Sequence, residues 1–195
     1  MAALEHTFLR SEDRYRTARM AFRGEYYRLP DGREAGPYGI LDYPDWVNAL
    51  ALTKDGQVVL VRQFRPGPKK ITLELPGGAV EPEEESLEAA MRRELEEETG
   101  YGGGELTYLA SLSPNAASHT NRIHSFLARD VERIGDLRPD DTEFLEVVLM
   151  PLEEVVALAR RGELDQALHL STLFLALAEL DLTGFVNLSG LLRAT

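Results

Sequence analysis

The chain contains no cysteine, which excludes a disulfide framework, a thiolate nucleophile and any thiolate metal site. Positive charge is scarce. The 21 Lys and Arg stand against 33 Asp and Glu, for a net charge of −12. A field of that sign repels nucleic acid and anionic lipid, so neither is expected as a partner. No apolar run approaches the ~18 residues of a membrane-spanning helix, and the first ten residues lack the apolar core of a secretory leader. These absences lead to the expectation of a soluble, cytoplasmic protein. Its 195 residues, 44% hydrophobic and 28% charged, suffice for one well-filled domain, or for one domain with a small extra module.

Residues 1–45 mix basic and aromatic side chains, among them Arg14, Tyr15, Phe22, Tyr26 and Tyr27, around a turn signal at Leu29-Pro30-Asp31-Gly32. A small antiparallel β element is expected there. Apolar and β-branched runs at 47–53 and 57–63, joined by Lys54-Asp55-Gly56, predict a hairpin. A further strand is expected at 71–75, stopped by Pro76-Gly77-Gly78, and others at 106–112, 123–128 and 144–150. Helices are expected at 86–99, with Ser86 as N-cap and Gly100 as stop, at 151–161 ended by Gly162, and at 165–180. The last is apolar almost all round, which predicts packing in a core or at a subunit interface. The alternation lacks the regular βαβ spacing of a doubly wound sheet, so the expected class is α/β with a mixed sheet between helices.

Nine glutamates fall between Glu81 and Glu98, and a charge run of this kind is ordinarily a solvated helix face. Helical geometry argues otherwise. At 100° per residue from Leu87, Ala90 falls at about −60°, Met91 at about +40° and Leu95 at about +80°, defining an apolar stripe. Glu94 at about −20° and Glu98 at about +20° lie inside that stripe, with Glu97 at its edge near about −80°. The stripe therefore turns acidic at the C-terminal end of the helix, where the macrodipole and mutual repulsion both disfavour anions. Converging oxygens of this kind suit a hard divalent cation, Mg2+ or Mn2+. Ahead of them, Gly77-Gly78 lets backbone approach closely and present a carbonyl.

This segment resembles the nudix box, G-x5-E-x7-R-E-U-x-E-E-x-G-U with U a bulky aliphatic residue. Glu85, seven further residues and Arg93-Glu94-Leu95-Glu96-Glu97-Glu98-Thr99-Gly100-Tyr101 match in order. Two departures are present: six residues instead of five separate Gly78 from Glu85, and Tyr101 fills the last bulky position. Outside the box, Val59-Leu60-Val61-Arg62-Gln63-Phe64-Arg65 and Leu73-Glu74-Leu75-Pro76-Gly77-Gly78 look like the ADP-ribose pyrophosphatase branch. The resemblance implies a nudix-type α/β/α sandwich at 46–195, with the box at 78–101. It also implies an N-terminal β element at 1–45 that makes homodimer contacts.

The activity implied is metal-dependent hydrolysis of the pyrophosphate of a nucleoside diphosphate linked to another moiety, ADP-ribose or a nucleotide sugar. Carried over by position, Glu94 and Glu98 are the main metal ligands, Glu97 a ligand or the group orienting the attacking water, and the Gly77 carbonyl a further ligand. Glu85 and Arg93 would pair to hold the loop against the helix, with Gly78 opening the box. The general base in this branch lies on a loop before a late strand, which here points to Glu143, with Asp141 and Glu146 as alternatives. Arg65 and Arg62 would meet the diphosphate. Competing readings are a nudix-fold nucleotide sensor, or a hydrolase of dinucleoside polyphosphates or nucleoside triphosphates. Ser118-His119 lacks partners for a nucleophilic relay and is expected to be a loop pair; His124 is expected to be structural.

Overall fold

Turn residues break the first 45 positions into hairpins in the computed structural model of the chain, which describes residues 4–82, 86–138 and 144–182. Strands β1 (Thr7–Arg16), β2 (Ala21–Arg28) and β3 (Glu34–Asp42) form an antiparallel sheet in that order. The Tyr27 ring is met edge-on by Phe8 and by Tyr38, each at 5.8 Å. Beside it, burial pushes the Glu25 carboxyl upward, but hydrogen bonds from the Tyr27 hydroxyl and Arg23 outweigh this and hold it below its ordinary value.

The polar connection Ser113–Arg122 belongs to this same compact unit. Leu41 N donates to the Ser118 carbonyl at 2.7 Å and Thr120 N to the Leu41 carbonyl at 3.1 Å. The expected loop pair is present: Ser118 Oγ lies 3.1 Å from His119 Nδ1, while the His119 ring stacks on Tyr43.

The second unit begins at Trp46. Its elements are β4 (Trp46–Thr53), β5 (Gln57–Arg65), β6 (Lys70–Glu74), β7 (Gly77–Ala79), α1 (Leu87–Thr99), β8 (Tyr101–Gly102), β9 (Glu105–Leu112), β10 (Ile123–Arg133), β11 (Glu146–Pro151), α2 (Leu152–Arg161) and α3 (Ala167–Glu179). They build a mixed sheet ordered β11-β5-β4-β10-β8, with β6 on β5, β7 on β4 and β9 on β10. Among the described strands of this sheet only β4 and β10 run parallel; the expected hairpin closes β4 on β5.

Alternation along β4 explains the layers. Val47, Ala49 and Ala51 pack with Ala90, Met91 and Leu95 of α1, while Leu50 packs with Val155 of α2 and Leu173 and Leu177 of α3. Both faces are covered, which is why β4 and β5 read as nearly continuous apolar runs. The expected mixed sheet between helices is what forms.

Two elements differ from expectation. Gly77-Gly78 does not merely stop β6, since Gly77–Ala79 is itself a strand, with Gly77 opposite Asn48. Glycine alone permits it: an added Cβ on Gly77 would stand 2.2 Å from the Val47 carbonyl oxygen. Strand β10 also runs on to Arg133, through an irregularity at Asp130, whose φ of 58° lets the ladder resume beyond it.

Helix α1 has the expected ends. Ser86 Oγ accepts from Ala89 N at 3.0 Å, and Gly100 closes it in the left-handed region at φ 69°. Ser86→Ala should cost about 1 kcal/mol, read as a fall in Tm of roughly 2–4 °C for a chain of this size. Differential scanning calorimetry measures it.

Candidate active site

The acidic half of α1 faces β7. Glu98, within the stripe as the helical angle requires, is 5% exposed, and its Oε2 accepts the Gly77 N–H at 2.8 Å. Glu94 lies so close to the same strand that a Cβ on Gly78 would stand 2.6 Å from its carboxylate. Arg93 braces the assembly. Its Nη1 lies 2.9 Å from Glu94 Oε1 and 2.9 Å from Glu97 Oε2, and its Nη2 donates to the Ala79 carbonyl at 3.0 Å. Strand β7 is thus fastened to the helix by a backbone N–H on a carboxylate and by a guanidinium on a backbone carbonyl.

Three carboxylates on adjacent turns repel one another, and here each turns to a donor of the protein. Among the described residues no three acidic or histidine side chains are drawn together as a ready-made cage. The donor set nevertheless fits a hard divalent ion. It is all oxygen, one member is nearly buried, and the glycine strand opposite leaves no side chain in the way. The expected partner of Arg93, Glu85, and the expected bases Glu143 and Asp141 lie outside the described residues.

The two arginines expected on the diphosphate stand apart in character. Arg62 on β5 is exposed and paired at 2.7 Å with Glu146, its cross-strand neighbour on β11 and the third base candidate. Such a surface pair contributes at most about 1 kcal/mol. Arg65 instead grips Glu74 with both Nε, at 2.9 Å, and Nη2, at 2.6 Å. Glu74 is 1% exposed, and it also accepts from Thr72 Oγ1 at 2.6 Å and from His169 Nε2 of α3 at 3.2 Å. Burial pushes the Glu74 carboxyl upward, but Arg65, His169 and Thr72 together outweigh it and hold the group far below the carboxylate range.

Sequence reasoning passed over Glu74 and His169 because each sits in an apolar run. The signal was there in two places. Thr72 and Glu74 alternate onto one face of a short strand, and His169 and Thr172 stand three apart on an otherwise apolar helix. Thr172 has partners too: its Oγ1 donates to Asn48 Oδ1 at 2.6 Å and lies 2.7 Å from Ser125 Oγ. His124, on the other face of β10, lies 3.3 Å through Nδ1 from the Tyr108 hydroxyl, consistent with a structural residue.

Comparison with known proteins gives concordant results. The NUDIX domain family model matches residues 42–171. The ADP-ribose pyrophosphatase of Bacillus subtilis (strain 168) is 34% identical over 144 residues, covering 73% of this chain and 77% of that protein. The ADP compounds hydrolase NudE of Escherichia coli (strain K12) is 31% identical over 121 residues, 62% of this chain and 64% of that one. Among solved structures, a crystal structure of an ADP compounds hydrolase superposes with a TM-score of 0.81 at 26% identity, covering 94% of this chain and 98% of that one.

The Glu74 cluster predicts a pH dependence. A carboxyl lowered in the folded state stabilises fully above its ordinary value of 4.5 and loses that contribution as pH falls below it. Glu74→Gln should cost on the order of 3 kcal/mol at pH 7 and flatten the acid limb of stability below pH 4.5. Urea unfolding of both proteins from pH 7 to pH 3 checks both statements.

Proposed function

Since the chain belongs to the NUDIX family, we propose that it is a pyrophosphohydrolase that splits a nucleoside diphosphate linked to another moiety, with ADP-ribose or a nucleotide sugar as substrate. The products are a nucleoside monophosphate and a phosphorylated partner. The observation that carries this reading is the acidic end of α1, where Glu94, Glu97 and the nearly buried Glu98 oppose a strand of glycine backbone. The names of the relatives, which act on ADP-ribose and ADP compounds, support the substrate class.

Glu94, Glu97, Glu98 and the Gly77 carbonyl would hold a divalent cation, Mg2+ or Mn2+. When bound, the cation would neutralise charge on the phosphoryl oxygens and make a water more acidic. Arg93 keeps β7 against the helix and so fixes the carbonyl relative to the carboxylates. Arg65, and with it Arg62, would bind the diphosphate oxygens, and the geometry of a guanidinium suits that task. Glu143 would take the proton of the attacking water and align it in line with the leaving oxygen. The exposed Phe8, Tyr15 and Tyr38 of the N-terminal sheet support a homodimer with residues 1–45 in the contact. A net charge of −12 supports a protein that binds neither nucleic acid nor anionic membrane, and the absence of cysteine fits work in the reducing cytoplasm.

Chromatography of reactions with ADP-ribose, nucleotide sugars, dinucleotides and triphosphates tests the reading. ADP-ribose should yield AMP and ribose 5-phosphate with Mg2+ or Mn2+ and nothing with EDTA. Cleavage of triphosphates alone would move the substrate class. Stabilisation by ADP-ribose without cleavage would make the protein a sensor. Glu98→Gln keeps an oxygen for the Gly77 N–H yet should abolish turnover; near-normal activity sinks the metal assignment. Glu143→Gln should lower kcat by roughly 10²–10⁴-fold, and an effect confined to Asp141 or Glu146 variants would move the base.

A further inference from the structure

Arg65, Thr72, Glu74 and His169 form a cluster whose members differ sharply in exposure. Thr72, Glu74 and His169 are all buried, whereas the Arg65 side chain is 37% exposed. The cluster therefore has a buried base and one charged tip that solvent reaches. An ion pair buried for stability alone gains little over apolar side chains of similar volume. Presenting a guanidinium in one fixed orientation is a task that apolar packing cannot perform.

The bonding shows how the orientation is fixed. Glu74 Oε1 accepts Arg65 Nε and Thr72 Oγ1, while Oε2 accepts Arg65 Nη2 and His169 Nε2. Each oxygen thus has one bond to the arginine and one to an anchor. Thr72 anchors from β6 itself, and His169 anchors from α3, 95 residues along the chain. With both anchors the carboxylate plane has one setting, and the bidentate fork transmits it to Arg65. Take away His169 and Oε2 keeps only the arginine, so the plane can turn and carry the guanidinium with it.

The histidine itself is kept at a cost. An ionised carboxylate only accepts, so Nε2 carries the proton. Its other nitrogen, Nδ1, is buried and has no hydrogen-bond partner among the described residues, an arrangement that disfavours histidine over an apolar residue at this position. What the ring gains in return is the bond to Glu74.

We propose that His169 is a positioning residue: acting through Glu74, it sets the Arg65 guanidinium for the phosphate oxygens of the substrate. This rests on the reading of Arg65 as a diphosphate ligand. It adds α3, far from the acidic helix in sequence, to the parts that determine substrate affinity.

Steady-state kinetics of the full-length protein on ADP-ribose with Mg2+ test it, using three variants. His169→Leu fills the volume and removes the donor; His169→Gln returns an N–H to the Nε2 position; Arg65→Ala removes the tip. His169→Leu should raise KM about 10-fold, the scale of one hydrogen bond to a charged group, with kcat within about twofold and Tm lower by roughly 2–4 °C, since losing the bond to Glu74 is only partly offset by removing the unpaired Nδ1. His169→Gln should return KM to within about threefold of the parent value. Added to Arg65→Ala, His169→Leu should raise KM no further, because the two act through one path. Parent-like KM in His169→Leu, while Arg65→Ala raises it, overturns the inference and leaves the reading of Arg65 standing. A loss of kcat and Tm in His169→Leu that glutamine does not restore makes the residue merely structural and also overturns it. An unchanged KM in Arg65→Ala overturns the reading of Arg65 itself, and the inference with it.

Discussion

The arrangement of the acidic helix depends on how close strand β7 comes to its neighbours. Gly77 lies against the backbone of Val47 and Asn48 at a distance no side chain tolerates, and its N–H is held by Glu98. That one contact fixes the height of β7 over α1, and therefore where the carboxylates of Glu94 and Glu97 can go. Arg93 secures the same separation from the other side by bonding the Ala79 carbonyl. The strand and the helix are thus held to each other from both sides, while each also rests on β4.

A second constraint is the cover on both faces of the sheet. Because α1 and the pair α2 and α3 pack on opposite sides, polar groups at the sheet must find partners within the protein. Glu74 does so with Arg65, Thr72 and His169; Asn48 and Ser125 do so through Thr172. The two buried polar side chains of α3, His169 and Thr172, therefore each meet polar positions on the strands beneath. This fixes the rotation of a helix whose apolar composition alone would leave it free to turn.

Much of this was legible in the sequence. Ser86 and Gly100 bounded α1 because caps are local chemistry, and Glu94 and Glu98 fell in the apolar stripe because helical periodicity is rigid. Gly77-Gly78 carried a strong signal of close approach, yet the strand it forms was not foreseen. Pairing with Asn48 is a contact across the chain, and a glycine run reads locally as a turn. The Glu74 cluster was missed for the same reason. A lone acid in a short strand and a lone histidine in an apolar helix acquire meaning only when the fold brings together residues 95 positions apart. Local rules reach as far as a turn or a cap, and pairings between distant segments lie beyond them.

The N-terminal β unit is not continuous in the chain. It takes in Ser113–Arg122, where Ser118 and Thr120 bond to Leu41. A recombination that exchanged only the start of the gene would bring in a foreign third strand and leave the old loop to meet it. Such a unit cannot spread as a cassette. Its diversification has to proceed through paired changes at two separated stretches of coding sequence, so the two should carry a shared evolutionary record, legible as covariation between the region of Leu41 and the region of Ser118.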